Sequence, residues 1–105
     1  ARTAYARRST ILQEVFEERD RQEELCAAGK FSLTCASTNL PIGGKLCVLA
    51  EEFGEVAKES CQLYDPRPGD NQAAAIARLR TELVQLAAVA AAWIESIDAE
   101  EKEAS

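Results

Sequence analysis

The sequence predicts an all-α fold, and three observations carry that prediction. Apolar residues recur at three- and four-residue steps through most of the 105 positions, the period of a helix rather than a strand. Aromatic residues are few (one Trp, two Tyr, three Phe), and much of the 47% hydrophobic content is Ala, which suits closely packed helices. Two segments rich in Pro or Gly divide the periodic stretches into three. The expected architecture is one domain, 1–105, a three-helix protomer with helices over about 3–28, 44–64 and 72–100.

The first helix carries Ile11, Leu12, Val15 and Phe16 on one face, and Gly29 is its natural stop. The stretch KFSLTCASTNLPIGG, residues 30–44, reads as a loop because of Pro41 and the Gly43-Gly44 pair, and part of it has the option of pairing as a short strand. The second helix begins between Ile42 and Lys45 and ends near Tyr64. Leu46, Leu49, Phe53, Val56, Ser60 and Leu63 form its stripe, with Leu46, Phe53 and Ala57 near the centre of the apolar face. DPRPGDN then breaks the chain with two prolines and a glycine. The third helix starts at Asn71 or Gln72, carries Leu79, Leu83, Leu86, Ala90, Trp93 and Ile97, and is expected to fray through the acidic DAEEKEAS.

The third helix also contains LAAVAAAW, small and apolar on more than one side. Three helices in one chain cannot easily cover Leu83, Ala87, Ala90 and Ile94 as well as an acid-lined face. A helical-bundle homodimer is expected to cover them, with a homotetramer made as a dimer of dimers as the larger option.

A net charge of −6 argues against a nucleic-acid polymer or an anionic membrane as the main partner. A phosphorylated small ligand arriving with a divalent cation stays open, since the cation reverses the local sign. The absence of His removes the commonest general base and the commonest zinc ligand. Cys26, Cys35, Cys47 and Cys61 form no C-x-x-C pair, so reduced, mostly packed thiols in a cytoplasmic protein are expected ahead of zinc or secreted disulfides. No apolar run approaches the ~20 residues that cross a bilayer, and no signal-peptide pattern opens the sequence.

The residues that carry chemistry are carboxylates. Glu52, Glu55 and Glu59 stand at i, i+3 and i+7 on the second helix, with Glu51 and Lys58 further towards solvent. A solvated acidic face explains that helix alone. The third helix changes the balance, because Glu82 falls on its packing face between Val89 and Trp93, with Gln85 one turn on. A carboxylate there costs several kcal/mol unless it is paired, protonated or bound to a cation. Arg78, four residues earlier, is the ordinary pairing partner. Antiparallel packing would bring Glu82 to Glu52 and Glu55, a hard-oxygen cluster that suits Mg²⁺ or Mn²⁺. On the first helix Arg19 and Gln22 share the side of Ile11, Val15 and Cys26, either snorkelling from the core edge or reaching a ligand over the acidic site.

Glu51-Glu52-x-x-Glu55, then 26 residues, then Glu82-x-x-Gln85, resembles the E-E-x-x-E … E-x-x-D signature of the MazG-like, all-α nucleotide pyrophosphohydrolases. The likeness extends through ERDRQEE, LAEEFGEVAKE and LRTELVQLAAVAAAWIESID, over most of the chain. It implies a helical protein that dimerises or pairs dimers, and that hydrolyses nucleoside triphosphates to a monophosphate and pyrophosphate with Mg²⁺. Carried over by position, the metal ligands are Glu52, Glu55 and Glu82, with Glu51 beside them and Gln85 in place of the family's aspartate. An amide oxygen can ligate Mg²⁺ but adds no charge, so one well-held ion is expected and a second only weakly, with Glu59 as an extra ligand. The chain also reads LCAAGKFSLTCAS where relatives often carry a Lys-Trp-Gly-like element, which leaves base and sugar preference open.

For such a site the water's proton would pass to Glu51 or Glu55, and Arg19, Gln22, Lys58 and Arg78 are the candidates for contacting the substrate. Two other readings fit the residues. One is a MazG-like protein that binds nucleotide or metal without turnover, favoured by Gln85. The other is a helical interaction module whose acidic helix meets a basic partner.

Overall fold

The structure, a computed structural model, describes residues 2–30 and 35–104. They form three helices, α1 (Arg2–Ala27), α2 (Ile42–Tyr64) and α3 (Gln72–Ala104), with no strand among the described residues. Residues 31–34, within the loop where a short strand was an option, lie outside those described.

The helix ends follow local chemistry. At the end of α1 the Lys30 N–H donates to the Leu25 carbonyl and the Gly29 N–H to that of Cys26. This is a Schellman closure, and Gly29 takes the positive φ of 77° that it requires. Pro41 caps α2, which begins at Ile42, inside the predicted window, and includes both glycines. Gly44 lies close under the loop: a Cβ there would sit 2.9 Å from Leu40 Cδ1, so a larger residue would make the Leu40 side chain shift. In the second break the Asp70 carboxylate accepts from the Arg67 N–H at 2.7 Å, and Asn71 Oδ1 caps α3 through the Ala74 N–H at 3.1 Å. Through the acidic end α3 is helical to Ala104, beyond the expected end near residue 100. Its Ala, Glu and Lys residues favour helix, and Lys102 suits the last turn.

α3 is the central element and packs against both other helices, whereas α1 and α2 make no close backbone contact. The pairs Lys45–Ser96 and Glu59–Arg78 set α2 antiparallel to α3, and the pairs Glu14–Arg80 and Arg19–Glu95 run α1 in the same sense as α3. The compact apolar centre lies towards one end, where Cys35, Val89 and Ala92 are buried under Ala36, Leu40, Val48, Leu49 and Trp93.

Two sequence expectations change here. The face that α2 turns to α3 carries Lys45, Val48, Leu49, Glu52, Val56, Glu59 and Leu63, a clean helical series that is rotated away from Leu46 and Phe53. Phe53 is 63% exposed, and Leu46, Ile11, Leu12, Phe16, Leu83 and Ile97 are exposed as well. With the backbones of α1 and α2 each close only to α3, the chain is a thin layer, 24 Å along its shortest axis, and cannot enclose every stripe. The four cysteines are free, but only Cys35 is buried and Cys26 half-buried; Cys47 and Cys61 are exposed. Burial pushes the Cys35 thiol above its usual pKa, which keeps it protonated and unreactive. No described helix is long and apolar enough to cross a membrane.

Candidate functional site

Antiparallel packing meets one polar requirement at each end of the α2–α3 pair. Lys45, 2% exposed, donates from Nζ to Ser96 Oγ at 2.6 Å, and the buried Glu59 carboxylate accepts from Arg78 Nε at 3.1 Å. Glu52 lies on the same face of α2 between these two levels, and it is different. Its Oε2 is sealed from solvent with no hydrogen-bond partner.

Burial raises the Glu52 carboxyl above its ordinary pKa of 4.5, and the charges of Glu82, Glu55, Glu18 and Glu51 raise it further, in that order. Carboxylates from all three helices therefore bear on one buried oxygen. Glu82 is half-buried on α3, whereas Glu51 and Glu55 are exposed on α2. The side chains are neighbours but have not converged. Among the described residues no three Asp, Glu, Cys or His side chains stand close enough together to hold a metal ion. The donor chemistry nonetheless fits a hard divalent cation, because an orphaned carboxylate oxygen gains from one and the donors are all oxygens.

The structure gives several predicted residues other partners. Arg78 does not pair with Glu82; its guanidinium goes to Glu59 and, at 3.3 Å, to Gln62 Oε1. That pairing also occupies Glu59, expected as an extra ligand, for the physical reason that a buried carboxylate needs a counter-charge. Arg19, 7% exposed, reaches Glu95 with Nε at 2.6 Å, Glu23 with Nη2 at 2.6 Å and Gln22 with Nη1 at 3.0 Å. It ties α1 to α3, and its hydrogen bonds to Gln22, Glu23 and Glu95 account for the guanidinium and for the Gln22 acceptor. Lys58 is exposed.

Residues that sequence reasoning passed over also bear on Glu52. A groove of about 300 Å³ lies between α1 and α3, lined by Glu14, Glu18 and Arg21 on one side and Arg80, Thr81 and Gln85 on the other. Glu18 and Arg21 are the α1 charges that act on Glu52. Arg21 holds Glu18 through Nε–Oε1 at 2.7 Å and Nη2–Oε2 at 2.6 Å, and Arg80 holds Glu14 end-on through Nη1–Oε2 at 2.5 Å and Nη2–Oε1 at 2.8 Å. The i, i+3 spacing of Glu18 and Arg21 was a readable signal, but Arg19 and Gln22 share the apolar side and masked it. Gln85 lines this groove at the position where the signature expects an acid.

Searches of the chain against protein-family models, curated proteins and solved structures gave no match.

Proposed function

We propose that this chain is a Mg²⁺-dependent nucleoside triphosphate pyrophosphohydrolase with a MazG-like fold, releasing a nucleoside monophosphate and pyrophosphate. The observation that carries the reading is the Glu52 oxygen, buried without a partner while Glu82, Glu55, Glu18 and Glu51 crowd its charge. A buried carboxylate oxygen without a partner calls for an explanation, and a bound cation supplies one. The resemblance of Glu51-Glu52-x-x-Glu55 and Glu82-x-x-Gln85 to the family signature supplies the substrate class.

Glu52, Glu55 and Glu82 would hold the ion, with the Gln85 amide oxygen as a neutral donor. Mg²⁺ (or Mn²⁺) supplies charge neutralisation at the phosphate oxygens and a polarised water. Glu51 and Glu55 are open to solvent, so either can accept the water's proton without a buried intermediate charge. The exposed Leu12, Phe16, Leu46, Phe53, Leu83 and Ile94 support a homodimer, or a dimer of dimers, as the working form. A stable monomer in sedimentation at micromolar concentration would overturn that part.

The deciding assay measures pyrophosphate released from a panel of canonical and modified nucleoside triphosphates with Mg²⁺. Release that disappears in Glu82→Gln supports the reading, and no release from any substrate defeats it. Gln85 favours a second reading, nucleotide binding without turnover, in which the same panel gives thermal stabilisation and no pyrophosphate.

A further inference from the structure

The stripe that periodicity marks as the apolar face of α2 has no cover in this chain. Ile42, Leu46, Phe53 and Tyr64 are all exposed along it. At about 100° per residue they share one side of the helix with the small residues Gly43, Ala50 and Gly54, and no charged residue interrupts that side from Ile42 to Tyr64. Two of its glycines have no use inside the protomer. A Cβ at Gly43 or Gly54 would meet nothing within 4 Å. Glycine is among the poorest residues for a helix interior, and what it offers there is room for another backbone to come close.

The order of the residues says whose backbone. Read in opposite directions about a centre between Phe53 and Gly54, the stripe matches itself. Ala50 falls opposite Ala57, Gly43 opposite Tyr64 and, along the Gly54 edge, the exposed Cys47 opposite the exposed Cys61. Just outside that edge the exposed Glu51 falls opposite the exposed Lys58, so charge meets countercharge, twice by symmetry. A two-fold contact requires a surface that complements itself in this way, whereas a foreign helix does not.

We propose that the outer face of α2 binds the same face of a second copy of this chain, antiparallel, about a two-fold axis at Phe53 and Gly54. Gly54 lets the two helices close, Leu46 and Phe53 anchor the contact, and Lys58 of the partner subunit comes to lie beside Glu51. The inference deepens the homodimer included in the proposed function by assigning its surface, and it leaves Leu12 and Phe16 of α1 outside the contact.

Sedimentation at micromolar concentration tests it on wild type, Phe53→Glu, Gly54→Gln and Phe16→Glu, with far-UV circular dichroism to verify folding. All three positions are exposed, and Gln favours helix over Gly, so a lost dimer in Gly54→Gln is not a lost fold. Phe53→Glu and Gly54→Gln are expected to weaken dimerisation at least about 30-fold, the scale of a lost interface anchor, and Phe16→Glu to leave it unchanged. Lys58→Glu is expected to weaken the dimer and Glu51→Lys with Lys58→Glu to restore it. Diamide, which takes two hydrogens from each thiol pair, is expected to join the copies covalently between Cys47 and Cys61. A dimer that survives both Phe53→Glu and Gly54→Gln overturns this face and keeps the homodimer. Failure of the charge reversal to restore the dimer, or joining through other thiols, overturns the antiparallel register. A monomeric wild type overturns face and homodimer together, while the pyrophosphate assay still decides the hydrolase reading.

Discussion

Two of the polar levels along the α2–α3 seam are built on opposite terms. Towards the buried apolar end, Lys45 meets Ser96, and nearby Arg19 is bound by Glu95, Glu23 and Gln22. Every charge there has a partner, and its role is to fix how the helices meet. In the middle of the seam Glu52 has one oxygen out of water with no partner, and burial followed by Glu82, Glu55, Glu18 and Glu51 raises its pKa. Satisfied buried charge reads as architecture; unsatisfied buried charge reads as a place for something to bind. The contrast is informative because Lys45 and Glu52 lie on the same face of the same helix.

The largest effect expected from breaking that contrast is in Glu52→Gln. It should lower pyrophosphate release by a factor on the order of 10³, the scale of losing a principal charge-stabilising group, while raising the metal-free melting temperature. A fall in both would make Glu52 a structural residue. Metal binding comes next. At about 100 times its Kd, Mg²⁺ should stabilise the native chain by roughly 2.7 kcal/mol in a thermal melt. The sign with pH is fixed by Glu52. Its folded pKa is raised, so the folded chain holds that proton more tightly than the unfolded chain does. The metal-free stability it contributes is therefore greatest below 4.5 and is lost as pH rises through the raised value. Mg²⁺ competes with the same proton, so its stabilisation should grow over that interval; melts with and without Mg²⁺ between pH 4 and 7 (about the range spanned by carboxyl and neutral conditions) check it.

Ser96→Ala tests the satisfied region. It leaves the buried Lys45 ammonium without its hydroxyl acceptor and should cost about 2 kcal/mol in urea unfolding, with metal affinity unchanged. The smallest effect belongs to Asp70→Asn in the α2–α3 turn, where an exposed side chain accepts one backbone bond that an amide oxygen can replace. Its unfolding midpoint should match wild type, and a large loss would mean that the turn matters more than its exposure suggests.

Much of this architecture is legible in the sequence because its determinants are local. Gly29, the DPRPGDN break and Asn71 end or begin helices through bonds to residues at most five positions away. The partial burial of Glu82 on α3 agrees with its place among apolar neighbours on the helical wheel. The face of α2 was not legible. Periodicity favours Leu46 and Phe53 as the inner stripe, yet Lys45 and Glu59 go inward because Ser96 and Arg78 wait across the seam, on a helix that begins after a separate break. Hydropathy along one helix cannot register a partner on another. The same blindness hid Glu18 and Arg21, whose relevance depends on Glu52 of α2 and on the groove that α1 makes with α3.

The arrangement in which α3 alone contacts both other helices has a consequence for how the molecule comes apart. With α1 leaning on one neighbour and its Leu12 and Phe16 open to water, the least costly partial opening lifts α1 away and leaves the α2–α3 hairpin closed. Glu18 and Arg21 travel with that detachable rod, whereas Glu52 and Glu82 remain behind on the hairpin. One hinge-like excursion thus parts the two walls of the groove, Glu14, Glu18 and Arg21 leaving with α1 while Arg80, Thr81 and Gln85 stay on α3.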